Sequence, residues 1–218
     1  MAEMSFAEGL ALLERRMKFA NVAIWATLAL FLAVMVGELL EGLGVVSLDD
    51  GNAPASGFAL LLAFLYMGSA AVFLLSVIPV GMWIYRAHAN LELAGADDLE
   101  FSPGWSVGWF FVPFMNLFKP FQAMKELWNS SYGTSNAYGS ESPATLTTWW
   151  ALYLGGNILS SVGTRVSAGN SESSITVGAL IGAFSSLLLA ASAWFLLRII
   201  REVMDGQRNH LQVHEAFA

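Results

Sequence analysis

Charge-free runs recur along the chain at lengths that suit a bilayer. Residues 19–37, 51–85, 142–164 and 173–197 contain no Asp, Glu, Lys or Arg. The apolar part of the second run begins near Gly57. A hydrocarbon core about 30 Å thick needs roughly 20 apolar residues in a helix. The pattern therefore predicts four transmembrane helices, at about 19–42, 57–86, 144–165 and 174–200.

Two further segments carry apolar residues in other patterns. Near the N-terminus, Ser5 and Glu8 have the spacing of a capping box. Phe6, Leu10, Leu13 and Met17 then recur at helical spacing, with Glu14, Arg15 and Lys18 on other faces. This predicts an amphipathic helix over residues 1–18, lying on the membrane surface ahead of the first span. That span is too long for the apolar core of a cleaved signal and has no small-residue cleavage site, so it reads as a retained signal-anchor. The second segment, residues 101–118, is charge-free and carries six aromatic residues before Phe118 closes it. Pro103 and Pro113 interrupt it, and Pro120 follows. In lipid, prolines leave backbone groups without partners, which argues against a crossing. Pro120 can open a helix, and Phe121, Met124 and Leu127 or Trp128 would then share an apolar face. The prediction is a broken, aromatic, interfacial or re-entrant segment, followed by a short amphipathic helix ending near Ser131.

Composition strengthens the membrane reading. Hydrophobic residues make up 56% of the chain and charged residues 12%, about half the charged share of a soluble protein. Cysteine is absent, which excludes disulfides, thiolate metal sites and cysteine nucleophiles. The net charge of −7 argues against a nucleic-acid partner. The basic residues fix a direction. Nine of the ten (Arg15, Arg16, Lys18, Arg86, Lys119, Lys125, Arg198, Arg201 and Arg208) fall on one side of the four-span scheme, and Arg165 alone falls on the other. Both termini are then cytoplasmic. A crossing by residues 101–118 would turn the C-terminal arginines outward, so charge and proline content agree that this segment stays at the inner interface.

The resulting fold class is all-α membrane protein. Its expected parts are an N-terminal amphipathic helix (1–18), two spans (19–86), the cytoplasmic-side interfacial segment and helix (87–131), a polar Gly/Ser-rich linker (132–143), two further spans (144–200) and a cytoplasmic tail (201–218).

The candidate functional residues are few. Arg86 and Asn90 stand at i, i+4 and share a helix face, placed either to bind an anionic headgroup or to anchor the helix end. Asn116 lies between Pro113 and Pro120, and its amide can both donate and accept. It is expected to turn toward protein and pair the backbone groups that the prolines leave free. Glu38 and Glu41 are placed near the outer end of the first span and Arg165 at the same depth on the third, which suggests an ion pair. Small residues recur every four positions at Gly178, Gly182 and Ser186, and again at Gly156, Ser160 and Thr164. Such ridges let helices approach closely. No nucleophile–base pair, phosphate loop or metal motif is present, so no cofactor is expected.

The stretch from Trp83 to Trp128 also carries a resemblance. It contains Arg86 and Asn90, then Ser102, Pro103, Gly104 and Trp105, then Pro113, Asn116, Leu117 and Pro120, then Leu127 and Trp128. In this order the residues resemble the bacterial membrane family called domain of unknown function 4328. The resemblance implies a small multi-span protein of the bacterial cytoplasmic membrane and implies no activity. Within it, Pro103, Trp105, Pro113, Pro120 and Trp128 join Arg86, Asn90 and Asn116 as structural or binding candidates. The expected function is non-enzymatic: an accessory or scaffold subunit of a larger membrane complex, or a lipid-contacting module. Its partners would be the lipid bilayer and other membrane subunits or a second copy. A small transporter or channel for an apolar or amphipathic solute is the alternative, and an intramembrane enzyme is the least supported reading.

Overall fold

The computed structural model describes residues 4–46, 57–96, 98–134, 138–169 and 171–211. Among these the regular elements are all helical. They are α1 (Phe6–Gly42), α2 (Gly57–Leu93), α3 (Pro103–Gly108), 3-10 turns at Trp109–Phe111 and Met115–Leu117, α4 (Lys119–Ser131), α5 (Ala144–Ser167) and α6 (Glu172–Gly206), which ends in a π turn at Gln207–Leu211.

Among the described residues three helices are long and apolar enough to cross a membrane: α1, α2, and α6 with its π turn. This corrects the expected four. The fourth long helix, α5, forms where the sequence places it, but Thr145, Thr147, Thr148, Asn157, Ser160, Ser161, Thr164 and Arg165 dilute its apolar character. The residues 1–18 helix is also not a separate element. The capping box forms: the Ser5 N–H donates to Glu8 Oε2 at 2.9 Å and the Glu8 N–H donates to Ser5 Oγ at 3.3 Å. From there α1 runs unbroken for 37 residues, because no proline or glycine interrupts the chain between Gly9 and Gly37. Likewise α2 continues past Arg86 to Leu93, carrying Asn90 on the same helix.

The chain folds as two compact units. The first draws on residues 1–22, 76–148 and 195–218. In its core Phe6, Leu10 and Leu13 of α1 are buried, together with Trp83, Ile84 and Leu91 of α2, Met124 and Leu127 of α4, and Ile199, Ile200 and Val203 of α6. The amphipathic stripe read at the N-terminus is thus a protein-facing stripe. Helix α4 has the predicted start and end, with Pro120 in its first turn. Its buried face includes Pro120, Ala123, Met124 and Leu127.

The second unit draws on residues 23–75 and 149–194. Trp25 meets Trp194 edge to face, with ring centres 5.7 Å apart. Gly163 and Gly178 let α5 and α6 touch: a Cβ on Gly178 would lie 2.9 Å from the Gly163 carbonyl oxygen. Ser185 donates to the Gly156 carbonyl at 3.0 Å. The α5 contact face therefore runs through Gly156 and Gly163. Ser160, read as part of that ridge, is exposed. Gly182 and Ser186 serve a different neighbour, Glu38 of α1. Large apolar side chains of α2, among them Leu61, Phe64, Met67, Leu74 and Leu75, point outward, as a lipid-facing surface requires.

Candidate functional site

The first unit is built around a buried polar node. Seven residues of α2 extend beyond Arg86, and that extension brings Asn90 one turn above it. Arg86 Nε donates to Asn90 Oδ1 at 2.8 Å. Asn90 Nδ2 donates to Gln207 Oε1 at 3.0 Å. Gln207 Nε2 then donates to the Ala87 carbonyl at 2.8 Å and reaches Ser131 Oγ at 3.4 Å. Ser131 Oγ in turn donates to the Leu127 carbonyl at 2.7 Å. The node joins α2, α4 and the π turn after α6. Helix α1 closes it through Gly9, where a Cβ would collide with Asn90 Oδ1. Asn90, Ser131 and Gln207 are 0% exposed, so the node organises the fold and cannot meet a solute. Arg86 is buried and makes no carboxylate ion pair among the described residues. Its guanidinium rests on the Asn90 amide and on Met4 Sδ, at 3.1 Å.

A second anchor fixes the aromatic segment. Glu126 of α4 is 0% exposed. Its carboxyl accepts the backbone N–H of Glu100 at 2.7 Å and that of Phe101 at 3.1 Å. Burial pushes this carboxyl above its ordinary range, against the opposing pull of the two N–H donors. Pro103 then opens α3. Helix α3 has six residues, about 9 Å at 1.5 Å per residue, and no longer helix forms within residues 101–118. Trp105 and Trp109 pack against each other with ring centres 4.7 Å apart. The chain then breaks into two 3-10 turns on either side of Pro113. Phe114 takes φ +64, a left-handed backbone that a phenylalanine rarely adopts. Phe111, Phe114, Met115, Leu117 and Phe118 are all exposed.

Asn116 departs from its expected role. It is exposed, and its side chain makes no hydrogen bond among the described residues. The backbone around the prolines is satisfied locally. The Met115 N–H reaches the Pro113 carbonyl at 2.8 Å, Asn116 reaches Val112 at 3.0 Å and Phe118 reaches Met115 at 3.0 Å. Tight turns do the work assigned to the amide.

The remaining candidates fall in both units. Trp128 donates to Glu202 Oε2 at 3.1 Å, and Tyr132 packs tilted against the Trp128 ring with ring centres 4.4 Å apart. In the second unit Glu38 accepts from Ser186 Oγ at 2.7 Å and from Tyr66 OH at 3.1 Å. Arg165 is exposed and pairs with neither Glu38 nor Glu41 among the described residues. The expected ion pair gives way to two hydroxyls because α6 presents Ser186, and α2 presents Tyr66, directly to Glu38. Among the described residues no group of three His, Asp or Glu side chains is gathered as a metal site would need.

A pocket of about 420 Å³ opens beside the aromatic segment in the first unit. Glu92, Glu100, Phe101, Trp105, Trp109 and Lys119 contribute to its wall. Sequence reasoning missed Gly9, Glu126 and Gln207. Only Gly9 left a signal, as a glycine inside an amphipathic helix.

Comparison with known proteins gives one result. Residues 49–205 match the family described as Domain of unknown function (DUF4328), and the chain belongs to that family. No curated protein and no solved structure matches the sequence.

Proposed function

We propose that this protein is a non-enzymatic, lipid-contacting module of the bacterial cytoplasmic membrane, working through its aromatic segment at the inner interface. One observation carries the reading. Phe114 is 80% exposed on a backbone that disfavours it, and Phe111, Met115, Leu117 and Phe118 of the same segment are exposed with it. A cluster of that kind, displayed in water, is an aggregation hazard. Set in the headgroup layer, it is an anchor. Glu126 holds the start of the segment from behind through the Glu100 and Phe101 backbone.

In this reading α5 also crosses the bilayer. It has 24 residues, about 36 Å at 1.5 Å per residue, and its small residues pack on α6. Four crossings put both termini on one side of the membrane, and the distribution of Lys and Arg supports the cytoplasmic side.

The test is photocrosslinking in cells from a benzophenone side chain at position 114. The expected product is a lipid adduct, with no protein of defined mass attached. A discrete protein adduct would overturn the lipid reading in favour of an accessory subunit docked through this segment.

A further inference from the structure

We propose that the pocket beside the aromatic segment binds a phosphoethanolamine group, free or as a phospholipid headgroup, with its ammonium on the Glu92–Glu100 side and its phosphate on Lys119. The lipid form of this proposal rests on the interfacial placement argued above. The pocket volume, about 420 Å³, lies within the roughly 300–1,000 Å³ of small-ligand sites.

Its chemistry is that of a zwitterion site. Glu92 and Glu100 bring two carboxylates and Lys119 one ammonium, so the pocket presents both signs of charge. Among the described residues neither carboxylate has an ion-pair partner. The aromatic wall positions the Lys119 ammonium. Lys119 Nζ lies 5.2 Å from the centre of the Phe101 ring and 6.0 Å from that of Trp109, within the range of cation–π attraction. Trp105 packs tilted against Trp109 and widens that wall. An anion without an ammonium would meet two carboxylates. A zwitterion with its charges two carbons apart satisfies both signs. The wall is also firm: Glu126 binds the Glu100 and Phe101 backbone, leaving the Glu100 side chain for a ligand.

The experiment uses the full chain purified in a maltoside detergent, with tryptophan fluorescence as the readout. Three probes are titrated: dihexanoyl-phosphatidylethanolamine, free phosphoethanolamine and dihexanoyl-phosphatidylglycerol. The ethanolamine lipid should bind at least about tenfold more tightly than the glycerol lipid, since only it places a cation against the carboxylates. The double variant Glu92→Gln/Glu100→Gln should lose that preference, with the thermal unfolding curve unchanged because both side chains are exposed. Equal affinity for lipid and free phosphoethanolamine would identify the headgroup alone as the ligand, and tighter lipid binding would add an acyl contact. Both outcomes support the site. Equal binding of the two lipids, an undiminished preference in the double variant, or no binding of either ethanolamine probe would overturn it. The titration needs no bilayer, so its failure would leave the crosslinking result at position 114 standing, and the reverse also holds.

Discussion

Asn90→Leu is expected to destabilise the protein by about 3 kcal/mol or more, the cost of leaving a buried guanidinium without its acceptor. Asn90 Oδ1 is the oxygen nearest to hand for Arg86 Nε, at 2.8 Å. Leucine has a similar volume and cannot accept. The same change strands Gln207 Oε1, which now receives Asn90 Nδ2 at 3.0 Å. The diagnostic comparison is with Arg86→Met/Asn90→Leu. Removing both partners leaves no unpaired charge, so the double variant should be more stable than Asn90→Leu alone. Thermal unfolding in detergent reads both effects. A single variant as stable as the parent, or a double variant losing the full sum of the two single losses, would show that Arg86 does not depend on Asn90.

Glu126→Leu is the second large effect, expected at about 2–4 kcal/mol, because two backbone donors lose their acceptor at once. The loss should be local in its consequences. Glu100 and Phe101 lead directly into α3, so cleavage by added protease should appear first within residues 100–118. Glu126→Gln retains one carbonyl oxygen and should fall between the parent and the leucine variant. It also isolates the ionisation. Burial raises the folded-state Glu126 carboxyl above its ordinary value, so the folded form binds the proton more tightly than the unfolded chain. Its stabilising contribution is complete below the ordinary carboxylate range and declines as pH rises through and above it. The parent should therefore lose stability relative to Glu126→Gln on going from acid to neutral pH. A gap between the two that does not change with pH would contradict this account of Glu126.

The sequence made visible what depends on near neighbours. The charge-free runs located the long helices, the Ser5–Glu8 spacing located a real cap, and Pro120 with Met124 and Leu127 located α4. It could not reveal which residues meet across long separations. Gln207 reads as a tail residue, yet it bonds Asn90 and the Ala87 carbonyl, 117 and 120 positions away. Glu126 carries no sequence signal of burial on the amphipathic α4, and only the fold buries it beneath Glu100 and Phe101. Asn116 was misjudged for the opposite reason. Its prolines create unmet backbone demand in a helix, but the chain adopts 3-10 turns there and meets the demand itself. The α5–α6 face was read at a strict four-residue spacing, whereas on α5 the packing skips Ser160 and uses Gly163, seven residues from Gly156.

The central claim is that residues 101–118 lie at the inner face of the membrane without crossing it. Labelling of single cysteines in intact cells with a membrane-impermeant maleimide tests it directly, using Thr134→Cys after the segment and Ser173→Cys at the start of α6. Both positions are exposed. The predicted result is that position 173 reacts in intact cells and position 134 reacts only after permeabilisation. Reaction at position 134 from outside would mean that the segment crosses, and would contradict the account.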